Sequence, residues 1–371
     1  MLTYRLKMLR RTMKNILIIY WDFFGDILIT TPLLKILHKG FPNARITYIV
    51  AGQIPNIHSH AARILEHNPD VDRCIRPDAS IFARLLKEDP YDLAIDLCAG
   101  KASKLVTKMS GAKIRLLGRL RGMPVHFSCY TCLDGKTALS FKVPIKCNRS
   151  VKRNMFYKVY RLRQFLEFAD FLGINIRKIP APKIYLSKGE RRFCKQYFRK
   201  IKSKKRDLVI AMHPGGRGKH RLWDTRNYAL LADKLTEKYN AKILIFYAPD
   251  EKSFADSVCG FSHHKLIKAS QRDIRKYISI ISGCDLFISA DGGPLHIALA
   301  LGVPSVGIFK DKRVAVNWYN YKQRKGLFSV FSRRRYIGKK RKLIAGINRR
   351  DIKEVGLALK KSGQALRCKP L

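Results

Sequence analysis

Two short stretches of the chain combine a carboxylate with glycine directly after an apolar run. The first contains Gly25-Asp26, and the second reads Asp291-Gly-Gly-Pro-Leu-His296. A carboxylate such as Asp26 can act as a general base when it reaches the proton that it must take. Glycines ahead of a helix leave backbone N–H groups open, and with the helix dipole these groups favour a phosphate. The residues therefore point to proton transfer and phosphate binding.

Each stretch also has a simpler interpretation. Two glycines before a helix can form a tight turn with no ligand. An aspartate in the first turn of a helix can serve as a cap, or can be a solvated carboxylate that the helix dipole favours. From the residues alone, both alternatives stay open.

The elements around Asp291 are predicted from pattern. Leu286–Ser289 reads as a buried strand, and 290–294 as a turn in which Pro294 suits the first helical position. Leu295–Leu301 favours a helix, and Gly302 stands where a helix end requires a positive φ. Val303–Phe309 is a second apolar strand.

The fourteen residues from Asp291 to Pro304 resemble the C-terminal signature of glycosyltransferase family 9, the ADP-heptose:lipopolysaccharide heptosyltransferases. That pattern is roughly D-[ST]-G-P-x-H-x-A-A-A-L-G-x-P, and this chain departs from it at Gly292, where the family has Ser or Thr. The resemblance implies that Asp291 binds the donor sugar and that His296 orients the loop. It assigns the donor diphosphate to N–H groups near Gly292, Gly293 and Leu295.

The stretch from Gly25 to Leu34 resembles the N-terminal signature of the same family. The resemblance implies that Asp26 is the catalytic base and that the residues around it face the acceptor. Trp21 and Phe24 on this acceptor side, together with Gly25, stand in a loop that is bulkier than is common in the family.

His213-Pro-Gly215-Gly216 follows an apolar strand and resembles the family's H-P-G-A loop, with Trp223 as the end of its K-R-W. Counting back from Trp223 places Arg221 where the family has a phosphate-contacting Lys, and Lys219 is the alternative holder of that role. Arg keeps the charge but offers a planar fork instead of a point charge. The simpler interpretation is a basic surface turn.

Two acidic pairs require separate interpretations. In the family an acidic residue near Asp250-Glu251 contacts the ribose of the nucleotide, and Glu251 is the predicted residue here, although either could serve or simply begin a helix. Asp70-Val-Asp72 looks like a metal-binding D-x-D, but it leads into a strand and is interpreted as structural.

Strands alternate with helices in two successive arrays, which predicts parallel sheets. The resemblance implies the GT-B form of this α/β fold class, with two Rossmann-like lobes and an interlobe cleft. The predicted divisions are a basic extension (1–12), an acceptor-binding lobe (13–182), a nucleotide-sugar-binding lobe (183–345), and a C-terminal helix and tail (346–371).

The composition constrains the partners and the compartment. The chain has 371 residues, 46% of them hydrophobic, with 75 basic and 27 acidic residues and a net charge of +48. Such a charge favours anionic partners. Nine scattered cysteines favour a reducing compartment. The one metal-like cluster, His126, Cys129, Cys132 and Cys147, lacks the paired spacing of a zinc site.

The resemblance implies an inverting transfer of heptose from ADP-heptose to a sugar hydroxyl of the lipopolysaccharide inner core, with no cofactor and no metal. The expected partners are the nucleotide sugar, a lipid A–Kdo acceptor and the anionic inner-membrane surface, with no specific nucleic acid. The expected location is cytoplasmic and peripheral on that membrane. Alternatives are another nucleotide sugar or acceptor, a basic nucleic-acid-binding protein, and a non-catalytic transferase.

Overall fold

A computed structural model describes residues 12–20, 23–50, 62–75, 90–98, 100–118, 126–132, 138–144, 161–202, 204, 207–216, 222–270, 273–310, 312–319 and 327–331. The chain divides into two compact units, Met1–Tyr185 and Leu186–Leu371. No helix among these residues is both long and apolar enough to cross a bilayer.

The first unit is a βα array followed by a hairpin. Its strands and helices are β1 (Asn15–Ile19), α1 (Phe24–Gly40), β2 (Arg45–Ile49), β3 (Arg73–Ile75), β4 (Leu93–Asp96), α2 (Lys101–Met109), β5 (Ile114–Gly118), β6 (His126–Cys132), β7 (Ala138–Pro144) and α3 (Arg161–Phe171). The sheet order is β3-β2-β1-β4-β5-β6-β7. The first five strands are parallel, and β6 and β7 add to the edge in antiparallel pairing.

Helix α1 contains Pro32 without ending there. Proline has no N–H, so the carbonyl of Leu28, four residues earlier, loses its helical donor. The Thr31 hydroxyl donates to that carbonyl instead, at 2.8 Å. The same hydroxyl accepts the N–H of Lys183 at 3.1 Å. The Thr-Thr-Pro sequence therefore keeps α1 continuous and ties the end of the first unit to it.

The second unit repeats the array. It contains α4 (Lys188–Ile201), β8 (Val209–His213), α5 (Thr225–Tyr239), β9 (Lys242–Tyr247), a 3-10 turn (Pro249–Glu251), α6 (Lys252–Phe261), β10 (Ile267–Ser270), α7 (Ile274–Ser282), β11 (Leu286–Ala290), α8 (Gly293–Ala300), β12 (Ser305–Phe309), α9 (Lys312–Tyr319) and β13 (Leu327–Phe331). All six strands are parallel, in the order β10-β9-β8-β11-β12-β13.

Helix ends in the second unit follow from their capping residues. The carboxylates of Asp224 and Asp273 accept the N–H of the residue two places on, at 2.9 and 2.7 Å, and so begin α5 and α7. Ser187 and Glu190 form a reciprocal capping box at α4. Glu190 also makes a two-point ion pair with the buried Arg275 of α7, at 2.6 and 2.9 Å.

Most predicted elements are confirmed, and the differences have physical reasons. The sequence predicts a helix over Ile27–Lys39, but α1 begins at Phe24, so Asp26 belongs to its first turn. Pro294 is the second residue of α8, because the helix begins at Gly293. The predicted positive φ at Gly302 is confirmed at 80°. The sequence is less regular over 118–185 and has no clear periodicity after Phe309, yet these segments contain β6, β7, α9 and β13. The sequence also predicts helices over 80–87 and 348–361, which lie outside the described residues, as do residues 1–11 of the predicted extension 1–12.

The D-x-D stretch is structural, as predicted. The Asp72 carboxylate accepts the N–H of Ile46 at 2.7 Å and so joins the start of β3 to β2. Asp70 is buried, and its N–H donates to the Asn68 side chain at 3.0 Å. Burial raises the pKa of Asp70, with the charges of His38, Lys35 and Lys183 opposing the rise.

Candidate active site

The predicted donor residues are brought to one edge of the second sheet. The carboxyl ends of parallel strands meet at the same edge, where open α/β sheets bind ligands. Strands β8 and β11 are neighbours, and their register sets His213 beside Ser289. The loops that follow these strands, with 214–216 after β8 and 291–292 after β11, therefore start side by side.

His213 is held by the half-buried Glu251 and the buried Tyr277. Its Nε2 lies 3.0 Å from Glu251 Oε2, and its Nδ1 lies 3.0 Å from the Tyr277 hydroxyl. Burial raises the pKa of Tyr277 well above its usual value, and the charge of Glu251 raises it further. Because an ionised carboxylate can only accept, the Glu251 contact places a proton on His213 Nε2.

Glu251 also bonds to backbone groups around the loop 214–216. Its carboxylate also accepts the N–H of Ala248 at 3.0 Å and is hydrogen-bonded to the backbone of Gly216. Burial raises the pKa of Glu251, but the bond to His213 and these backbone bonds outweigh it, so the pKa lies below its usual range. The geometry gives Glu251 a role in shaping the loop, and a contact to ribose stays a prediction. Asp250 beside it is exposed.

Gly215 is required by this packing. A Cβ at this position would lie 2.5 Å from the Glu251 carboxyl carbon. Gly216 has a φ of 142°, a conformation that favours glycine. The packing of Glu251 therefore explains Gly215, and the backbone conformation explains Gly216.

The second loop is organised by Tyr319, which sequence reasoning missed. Tyr319 is fully buried at the end of α9. Its hydroxyl donates to Asp291 Oδ1 at 2.8 Å and accepts the N–H of Gly292 at 3.1 Å. Its ring stacks on His296, with centroids 4.2 Å apart and planes at 13°. His296 therefore contacts the residue that bonds to the loop, and its orienting role stays a prediction.

The bond between Gly292 and Tyr319 changes which N–H groups are predicted to bind the diphosphate. The N–H of Gly292 already has the Tyr319 hydroxyl as its acceptor. Pro294 has no N–H, so the first turn of α8 offers Gly293 and Leu295 as the N–H groups that lack an acceptor within the helix. Gly292 is the N-cap and provides no side-chain cap.

A second missed tyrosine supports the strand before this loop. Tyr228 of α5 is fully buried, and its hydroxyl accepts the N–H of Ala290 at 3.1 Å. Burial raises the pKa of this phenol. Trp223 packs edge-on against its ring, with centroids 5.0 Å apart. Spacing could have indicated Tyr319, because Ala315 and Tyr319 are four residues apart, as on one face of a helix.

In the first unit, Asp26 is half-buried in the first turn of α1, beside the buried Gly25. Its N–H donates to the Phe23 carbonyl at 2.9 Å. The helix dipole stabilises a carboxylate at this position. Phe23 is exposed and Phe24 half-buried. Trp21, like Lys219 and Arg221 of the second unit, lies outside the described residues.

Asp96 is a second carboxylate near this end of the first sheet, and sequence reasoning did not select it. It is the last residue of β4, beside Ile19 in register, and is fully buried. Its Oδ1 accepts the N–H of Cys98 at 2.8 Å. An aspartate at the end of an apolar strand was the available signal.

Solved structures share this architecture. The crystal structure of a family 9 glycosyltransferase from Veillonella parvula superposes with a TM-score of 0.73 at 16% identity, covering 94% of this chain and 98% of that one. The structure of Escherichia coli ADP-heptose lps heptosyltransferase II has a TM-score of 0.67 at 15% identity, covering 94% and 99%. With two Rossmann-like α/β units, the protein has the GT-B glycosyltransferase fold.

The sequence comparisons identify the family. The family model described as glycosyltransferase family 9 (heptosyltransferase) matches residues 80–342, well over half of the chain. Lipopolysaccharide heptosyltransferase 3 of E. coli K12 is 20% identical over 307 residues, which cover 77% of this chain and 80% of that protein. The chain therefore belongs to glycosyltransferase family 9, as the two signatures predicted, and it is a glycosyltransferase.

Proposed function

We propose that this protein transfers a heptose from ADP-heptose to a sugar hydroxyl of the lipopolysaccharide inner core, with inversion at the anomeric carbon. Family membership supports the reaction class, and the names of the relatives support the donor and the acceptor. The observation that carries the proposal is the pairing of two family loops at one sheet edge, with His213 beside Ser289.

The chemical step is a single displacement. The Asp26 carboxylate takes the proton of the acceptor hydroxyl, and that oxygen attacks the anomeric carbon of the heptose. The bond from this carbon to the diphosphate oxygen breaks, and ADP leaves with the electron pair. Attack opposite the leaving group inverts the configuration.

The second unit provides for the donor in this proposal. Asp291 binds hydroxyls of the heptose, and the N–H groups of Gly293 and Leu295 hold the diphosphate. Arg221 or Lys219 neutralises the charge that develops on the leaving group. Backbone dipoles and basic side chains stabilise such charge without reorganisation. We therefore propose that the transfer requires neither a metal nor a cofactor.

The net charge of +48 supports a location for the reaction. We propose that the enzyme works on the cytoplasmic face of the inner membrane, where lipid A–Kdo precursors and anionic lipids lie. A basic residue near an anionic leaflet contributes about 1 kcal/mol. Binding to vesicles with anionic lipid should weaken steeply as salt rises, because salt screens exposed charges. Binding that salt does not change would contradict this part.

The test of function is transfer itself. The purified protein is incubated with ADP-heptose and either Kdo-lipid A or a heptosylated core acceptor, and the product is read by mass spectrometry. A gain of one heptose is expected, and NMR of the product should show the inverted anomer. The same assay with a chelator tests independence from metal.

Competition by ADP, UDP and GDP identifies the donor nucleotide. Only ADP is expected to inhibit transfer strongly. Binding of ADP without transfer to either acceptor would overturn the acceptor assignment. Absence of ADP binding would overturn the donor assignment.

A further inference from the structure

The contacts of Tyr319 exceed what packing requires. A phenylalanine ring could equally fill this fully buried position between His296 and the edge of Phe309, whose centroid is 5.1 Å away. The hydroxyl adds bonds to Asp291 Oδ1 at 2.8 Å and to the N–H of Gly292 at 3.1 Å. A further contact to the Gly292 carbonyl is longer, at 3.3 Å.

The shortest of these contacts assigns the phenol proton. An ionised carboxylate attracts a donor more strongly than a neutral carbonyl. The Tyr319 O–H therefore donates a hydrogen bond to Asp291, and the phenol oxygen accepts the N–H of Gly292. The hydroxyl therefore links the Asp291 carboxylate to the Gly292 backbone, and this link fixes the rotation of the carboxylate relative to the loop.

Asp291 is half-exposed, whereas Tyr319 is fully buried. The buried hydroxyl thus holds Oδ1 from the protein side, and the direction of the Asp291 carboxyl plane is determined for whatever binds from the solvent side. Side chains held in this way bind a ligand without a further loss of rotamer freedom.

Gly292 makes this support more important. It is the N-cap of α8 and has no side chain to order the first turn. A Cβ here would meet only Pro294 Cδ, at 3.7 Å, so lack of space does not explain the glycine. The Tyr319 hydroxyl occupies the Gly292 N–H, and the N–H groups of Gly293 and Leu295 belong to α8 and remain for a diphosphate with or without that hydroxyl.

We propose that Tyr319 is a positioning residue of the donor site, which acts through Asp291 to select the sugar of the nucleotide sugar. The inference rests on the proposed function, since it takes ADP-heptose as the ligand. It predicts that loss of the hydroxyl weakens recognition of the heptose and leaves recognition of ADP nearly unchanged.

The test is Tyr319→Phe, which keeps the stacked ring and removes only the hydroxyl. Calorimetry without acceptor compares the affinities for ADP and ADP-heptose. Hydrogen bonds to charged groups have strengths that convert to about a 10- to 100-fold change in affinity. We expect ADP-heptose to bind about tenfold more weakly and ADP to change by less than about threefold.

Tyr228→Phe is the matched control. It also removes a buried phenol that accepts a backbone N–H, that of Ala290, one residue before Asp291. It should not change the ratio of the two affinities. An equal loss of both ligands in Tyr319→Phe would assign Tyr319 a purely structural role and overturn the proposal. Unchanged affinity for both ligands would also overturn it.

A second variant tests whether Tyr319 acts through Asp291. Asp291→Ala removes the same bond from the exposed side and should reproduce the selective loss of ADP-heptose. In the Asp291→Ala background, Tyr319→Phe should cause no further loss, and a full additional loss would contradict action through Asp291. If the wild type binds ADP but not ADP-heptose, the proposed function fails instead, which separates the two outcomes.

Discussion

Corresponding strands of the two units each have an aspartate at their carboxyl end, and the two aspartates differ in burial and in hydrogen-bond partner. In the first unit, β4 neighbours β1 and ends at Asp96, which is fully buried and bonds to the backbone N–H of Cys98. In the second, β11 neighbours β8 and is followed by Asp291, which is half-exposed and bonds to Tyr319.

The difference shows how one topology supports two uses. A buried aspartate that accepts its own turn's N–H shapes the backbone. In the proposed function, Asp291 lies one residue beyond the strand, bonds to the buried Tyr319 hydroxyl and presents its carboxylate to the donor sugar. The candidate carboxylate of the first unit is Asp26, which follows β1. In the second unit the corresponding strand is β8, and its last residue, His213, pairs with Glu251.

The largest effect is expected from Asp26→Asn, which tests whether proton transfer belongs to the first unit. Removing a general base costs about 10²- to 10⁴-fold in rate. We expect kcat to fall within this range in the heptose transfer assay. ADP affinity should stay unchanged by calorimetry, and a parallel loss of ADP binding would break the division of roles between the units.

Gly215→Ala tests whether the turn after β8 is built around the Glu251 carboxylate. The added Cβ would lie 2.5 Å from its carboxyl carbon and must displace it from His213. We expect ADP affinity to fall about tenfold, the equivalent of one charged hydrogen bond. Gly292→Ala is the matched control, because its Cβ has ordinary contact distances. Equal losses in both variants would contradict the steric explanation.

Thr31→Val tests the support of α1 in the first unit. The variant leaves the Leu28 carbonyl and the Lys183 N–H without the partner seen here. Buried polar groups left without a bond cost about 1–3 kcal/mol of unfolding free energy. Urea denaturation should show this loss, with Thr31→Ser close to the wild type. ADP affinity should not change, since the donor residues belong to the other unit.

The smallest effect concerns acid stability in the second unit. The pKa of Glu251 in the folded state lies below its ordinary value of 4.5, so its contribution is complete above that pH and is lost as pH falls through the folded pKa. Glu251→Gln removes this titration. The unfolding free energy of the wild type should fall more with acid than that of the variant. Equal acid slopes would contradict the His213–Glu251 pair.

Much of the fold could be predicted because its signals are local. Apolar strands, capping aspartates and a glycine that ends α8 each act within a few residues. The antiparallel β6–β7 pair was not predicted, because it depends on pairing with the edge of the first sheet. Helix α9 was missed because its short apolar pattern stands in a strongly basic segment.

The sequence by itself determined the family, the order of the βα arrays and the candidate residues Asp26, His213 and Asp291, because these are properties of short contiguous motifs. Only the tertiary structure decided which groups hold them. Tyr319 lies 28 positions from Asp291, and Tyr277 lies 64 from His213. The physical reason is that a buried hydroxyl acquires its partner from packing, and packing joins segments that no local pattern connects.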